Sequence, residues 1–113
     1  MSFLIRILIS ALVAFGLSYI LKGVHIDSFV TALILALVLA VLNALVKPIL
    51  IILTLPITII TLGLFLFVIN ACIILLGSKL VSGFSVDGFW WALLFSILLS
   101  IVSSILYSAG KKD

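Results

Sequence analysis

The chain contains no glutamate and no glutamine, and its only acids are Asp27, Asp87 and Asp113. Paired carboxylates for general acid–base work are therefore missing. So is the acid inside a span that a small proton-coupled multidrug transporter would need to exchange protons for cations. The single cysteine, Cys72, excludes an intramolecular disulfide and reads as a buried small side chain. The single histidine, His25, has no metal-ligand neighbours in sequence and reads as a solvated loop residue. No triad, phosphate loop or metal cluster is visible, so the sequence reads as non-enzymatic, with no cofactor.

What the chain has instead is hydrocarbon. Its mean hydropathy is +1.71, with 67% hydrophobic and 8% charged residues over 113 positions. A soluble domain this small leaves roughly 40% of its extended-chain surface in contact with solvent. Lipid must be part of that solvent, which makes this an integral membrane protein. A net charge of +3, carried mainly by lysines at segment ends, points to orientation and headgroup contact rather than to nucleic acid.

About 20 apolar residues cross a bilayer core as a helix. Four segments qualify, near 3–21, 28–46, 57–78 and 89–108, which predicts an all-α bundle of four transmembrane helices in one membrane domain. In the first, Arg6 precedes the apolar run ILISALVAFGL, and the segment reads as a retained span rather than a cleaved signal. Between the second and third lies KPILIILTLP, with Pro48 and Pro56 as helix breaks. Residues 48–55 are expected to form a separate interfacial or re-entrant helix, with Pro48 at its first position.

Arg6, Lys47, Lys111 and Lys112 fall on one side of such a bundle, and Lys22 and Lys79 on the other. The excess places both termini in the cytoplasm of a multi-pass plasma-membrane protein. The four cations of that side are candidates for contact with anionic lipid headgroups or an acidic partner. Trp90 and Trp91 then fall at the outer interface.

Residues 23–45, GVHIDSFVTALILALVLAVLNAL, align without a gap on residues 83–105, GFSVDGFWWALLFSILLSIVSSI, at an offset of 60. The shared G-x-x-x-D-x-F is the telling part, because Gly and Asp are scarce here. It predicts two tandem homologous hairpins, about 3–46 and 57–108, joined by the element at 47–56. Ala32, Ala36, Ala40 and Ala44 recur at every fourth position, as do Ala92, Ser96, Ser100 and Ser104. Such small-residue stripes let helices approach closely in lipid, so the second and fourth spans are expected to pack on each other or on a second subunit of a homo-oligomer. Ser10, Ala14 and Ser18 give the first span a similar stripe. Asp27 and Asp87 stand before the second and fourth spans as expected helix caps. Asn43 and Asn70 are the notable intramembrane polar side chains, expected to join helices or to support backbone near a proline.

The pattern N-A-L-V-K-P-I-L…L-P-I-T…T-L-G-L-F…I-N-A, followed by G-F-x-V-D-G-F-x-x-A-L, resembles a bacterial family of small four-span membrane proteins. It is catalogued as phage holin (mycobacterial-type four-span holin superfamily IV) and includes YvlD-like proteins. The resemblance runs over essentially the whole chain and rests most on Asn43, Lys47, Pro48, Pro56, Gly63, Asn70, Gly83 and Phe89. It implies a plasma-membrane protein with a holin-like permeabilising role, or a housekeeping role with an envelope-stress partner. The short tail YSAGKKD lacks the strong charge common in phage holins. The expected function is thus membrane integrity or envelope-stress support, with a holin-like oligomer or small channel as the alternative.

Overall fold

The computed structural model describes residues 2–110. Lys111 and Lys112 lie outside the described residues. The order is helix α1 (Phe3–Ile20), strand β1 (Val24–Ile26), helices α2 (Phe29–Leu53), α3 (Leu55–Ile60) and α4 (Phe65–Leu80), strand β2 (Phe84–Val86) and helix α5 (Phe89–Gly110). Helices α1, α2 and α5 are long and apolar enough to cross a membrane, and α4 is a shorter apolar helix.

The second expected span runs further than its sequence suggests. Helix α2 continues through Pro48 to Leu53, so residues 48–53 are its last turns and not a separate element. Proline costs a helix one hydrogen bond. Leaving the helix in a poorly hydrated setting would strand several peptide groups, so continuing is the cheaper course. The break comes at Thr54, where Pro56 lacks the N–H that would reach back to Ile52 and disfavours helical backbone at the residue before it. The separate short helix is therefore α3, with Pro56 in its first turn. Its end is a Schellman motif: the Gly63 N–H donates to the Thr58 carbonyl at 2.8 Å and the Leu62 N–H to that of Ile59 at 3.1 Å. The third expected span, 57–78, accordingly begins only at Phe65.

The segments that follow α1 and α4 form a two-stranded antiparallel ladder, the one departure from an all-helical fold among the described residues. Val24 pairs with Val86, His25 with Ser85 and Ile26 with Phe84. The Asp27 N–H donates to the Gly83 carbonyl at 2.9 Å, and the Asp87 N–H to the Gly23 carbonyl at 2.8 Å. Gly23 is required by packing, since a Cβ there would lie 2.2 Å from the Trp91 ring. Gly83 has φ +93° and faces the Asp27 carboxylate.

The ladder ties two helix pairs into a ring in which α1 touches α2 and α5, and α4 touches α5 and α2. Helices α2 and α5 stand diagonally opposite without close backbone approach, so their small-residue stripes do not meet face to face. Each packs instead on its hairpin partner and on the first helix of the other pair. Residues sixty apart have matching surroundings: Ala11, Leu17, Ala32 and Leu35 are buried, as are Ala71, Gly77, Ala92 and Phe95. The Ser18 hydroxyl donates to the Phe15 carbonyl and the Ser78 hydroxyl to that of Leu75, both at 2.6 Å.

Candidate functional site

Burial divides the bundle into two halves. Toward the ladder, Leu35 and Phe95 are 0% exposed, Ile73 and Phe84 are buried beside them, and the Phe84 and Phe95 rings lie 5.7 Å apart. Toward the chain termini the helices part. Ala32, Ala36, Ala92 and Ser96 are buried, Ala40 and Ser100 differ in being half-buried and exposed, and Ala44 and Ser104 are exposed.

A cavity of about 320 Å³ opens where α1, α2 and α5 diverge. Leu39, Ala36 and Ala14 line its inner part, and Arg6, Ser10, Asn43, Ser100, Ser103, Ser104 and Tyr107 supply polar groups. Tyr107 organises the wall. The Arg6 guanidinium lies over its ring, 4.7 Å from the centroid. Its hydroxyl donates to the Arg6 carbonyl at 3.3 Å and shares a hydrogen bond with Ser10. Ser103, 5% exposed, has a buried hydroxyl with no hydrogen-bond partner among the described residues.

A second cavity of about 60 Å³ lies between α2, α4 and α5, lined by Asn43, Lys47, Asn70, Ser96 and Ser100 among others. The Ser96 hydroxyl donates to the Leu93 carbonyl at 2.9 Å. Asn43 lines both spaces. The structure thus brings Asn43, Lys47 and Asn70 together, and Arg6 with Asn43. Pro48 and Pro56 are not among the lining residues. The sixty-residue offset relates the two linings: Ser10 corresponds to Asn70, Ser103 to Asn43 and Tyr107 to Lys47.

The two aspartates sit at the opposite end and do not cap helices as expected. The N-cap of α2 is Ser28, whose hydroxyl accepts from the Thr31 N–H at 3.2 Å. Helix α5 starts at Phe89, two residues beyond Asp87. Both Asp N–H groups close the ladder, which moves each helix start one step along. The Asp87 carboxylate meets the His25 Nε2 at 3.2 Å, with both side chains about half exposed. Cys72 is exposed on α4 rather than buried. Among the described residues no group of His, Cys, Asp or Glu could hold a metal ion.

Sequence reasoning missed Ser103 and Tyr107. The available signal was the pair Ser103-Ser104 near the end of an apolar run, with a polar-tipped aromatic one turn on.

The sequence profile described as mycobacterial 4 TMS phage holin, superfamily IV, matches residues 1–105. An uncharacterised membrane protein of Bacillus subtilis (strain 168), YvlD, is 42% identical over 98 residues, covering 86% of this chain and 82% of its own. An uncharacterised Streptomyces coelicolor protein, SCO3922, is 49% identical over 81 residues, covering 68% of this chain and 65% of its own. No solved structure matches the chain.

Proposed function

This chain belongs to the mycobacterial four-span phage holin family, superfamily IV, and from that premise we propose a small non-enzymatic protein of the bacterial plasma membrane. It supports membrane integrity or the envelope-stress response by contacting lipid and a partner protein. In this reading α1, α2, α4 and α5 are four spans, built as two tandem hairpins from a duplicated unit. Both termini face the cytoplasm and α3 lies at that interface. The matching burial of residues sixty apart supports the duplication.

One observation carries the choice of lipid contact over a pore within one subunit. The cavity is blind, because the buried side chains of Leu35, Ile73 and Phe95, with Phe84 of the ladder against Phe95, close the bundle beyond it. A solute entering at the termini meets packed side chains. Exposed apolar side chains such as Leu12, Ile34, Leu45 and Ile101 give the outside of the bundle a surface suited to acyl chains.

Purified protein in sealed liposomes should retain a trapped dye. Rapid leakage at a low protein-to-lipid ratio would sink this reading in favour of a holin-like oligomer, the second reading, which the family membership favours. Orientation is tested separately with single cysteines at Ser2 and Ser85 in a Cys72→Ala background. They should react with an impermeant reagent from opposite sides, and same-side labelling would rule out four spans.

A further inference from the structure

We propose that the larger cavity binds a phosphate group, presented either by an anionic lipid headgroup or by a soluble phosphate. This deepens the lipid-contact reading and rests on it, but dye retention and phosphate binding are separate measurements, so either can fail alone.

The first ground is chemistry out of place. In a bundle that is otherwise a hydrocarbon solute, the polar residues Ser10, Asn43, Ser103 and Tyr107 line one space. Its volume of about 320 Å³ falls within the range of small-molecule sites.

The second ground is Ser103. A hydroxyl on a side chain only 5% exposed, and unpartnered, forfeits its hydrogen bonds to water and gains none. The residue lines the cavity with its oxygen turned away from the open space, so rotation of this one side chain would bring the hydroxyl to a ligand there. Ser96, on the same helix, satisfies itself on a backbone carbonyl, and Ser103 does not.

The third ground is charge. Arg6 is held over the Tyr107 ring, and a guanidinium, with five N–H donors, can make such a contact and still form charge-assisted bonds to an oxyanion. Lys47 lies on the neighbouring cavity, which shares Asn43. Among the described residues both carboxylates, Asp27 and Asp87, are at the ladder end, so no acid lines the cavity to attract a cation or repel an anion. A phosphate, with several acceptor oxygens, uses a guanidinium and a group of hydroxyl and amide donors more fully than a carboxylate does.

The test uses the full chain in phosphate-free maltoside detergent, titrated with inorganic phosphate and, separately, with dihexanoyl phosphatidylglycerol, followed by phosphorus NMR and calorimetry. Arg6→Gln should weaken binding about tenfold, as expected when a charge-assisted hydrogen bond is lost. Lys79→Gln, which alters a cation at the other end, should leave binding unchanged. Ser103→Leu should abolish binding by filling the cavity. Since that variant can fail to fold, Ser103→Ala serves beside it: it should weaken binding severalfold with the helical circular dichroism intact.

Binding of both probes assigns the phosphate group itself as the ligand, and binding of the lipid alone assigns a headgroup. The proposal is overturned if neither probe binds, or if acetate binds as tightly as phosphate. Equal losses from Arg6→Gln and Lys79→Gln would also overturn it, because they would mean bulk attraction without a site.

Discussion

His25 and Ser85 stand opposite each other at the centre of the ladder, and they are also sixty residues apart in a chain whose surroundings repeat at that interval. The two relations together place a local twofold axis through this pair. The reciprocal bonds from Asp27 to Gly83 and from Asp87 to Gly23 lie on either side of it. Two short segments, each too short to be a stable strand alone, become a clasp because each is the other's partner.

The clasp can be made covalent. His25→Cys with Ser85→Cys, in a Cys72→Ala background, should form an intramolecular disulfide under mild oxidation, because directly opposed ladder residues have Cα atoms about 4.5–5.5 Å apart. Mass spectrometry of the unreduced protein reads the result. A monomer with two free thiols would contradict the register.

Two glycines should respond in opposite directions to the same change. Gly23→Ala drives a methyl group into the Trp91 ring and should lower stability by about 1–3 kcal/mol. Gly16, within α1, has open space where a methyl group would sit, with no atom inside 4 Å. Gly16→Ala should therefore raise stability by about 0.5–1 kcal/mol. Thermal unfolding in a single detergent compares them.

Leu62 carries a φ of +57° at the end of α3 with its side chain 92% exposed. Left-handed backbone costs a residue with a Cβ about 1–2 kcal/mol, and this side chain loses almost no packing when removed. Leu62→Gly should therefore stabilise the protein by about 1 kcal/mol in the same melting assay. A loss of stability would mean that the side chain is anchored in a way its exposure does not reveal.

Without ligand, the buried Ser103 hydroxyl is a cost. Ser103→Ala should raise stability by about 1 kcal/mol in phosphate-free detergent, since it removes an unsatisfied donor and improves helix propensity. Ser96→Ala removes a bond that is made, and should gain less or lose. Equal effects at the two positions would show that Ser103 finds a partner.

The pair His25 and Asp87, about half exposed on both sides, should matter little. His25→Ala is expected to change stability by no more than about 1 kcal/mol, a difference that shrinks further in high salt.

Much of the architecture was legible because it is a pattern of lengths. Apolar runs separated by LKGVHID and KLVSGFSVDGF marked where helices stop, and the structure stops them there. Pro48 is a poor marker here because a broken helix finds other hydrogen-bond partners in water but not in a poorly hydrated setting, where α2 runs through it. The ladder was hidden for a different reason: strands of three residues carry too little pattern, and their pairing is a tertiary event. The cavity needed the ring order of the helices. Ser10, Asn43 and Ser100 were visible as stripe or joining residues, but only the divergence of α1, α2 and α5 turns them toward a common space with Tyr107.

Helix α4 has 16 residues and so rises about 24 Å, several ångströms less than a hydrocarbon core of about 30 Å. If α4 crosses the membrane as proposed above, the bilayer on that flank must thin, or the turn before α4 must sink below the headgroups. The turn is equipped for little water. The Thr54 hydroxyl donates to the Leu50 carbonyl at 2.7 Å, the Thr61 hydroxyl to that of Ile57 at 3.0 Å, and the Phe65 N–H to the Thr61 hydroxyl at 3.2 Å. Helix α2, with 25 residues, is long enough to tilt across the full core. A protein with one long and one short wall distorts a bilayer of uniform thickness and is more at ease where the bilayer is already thin. In the four-span reading, its position in the plane of the membrane should therefore follow local lipid thickness.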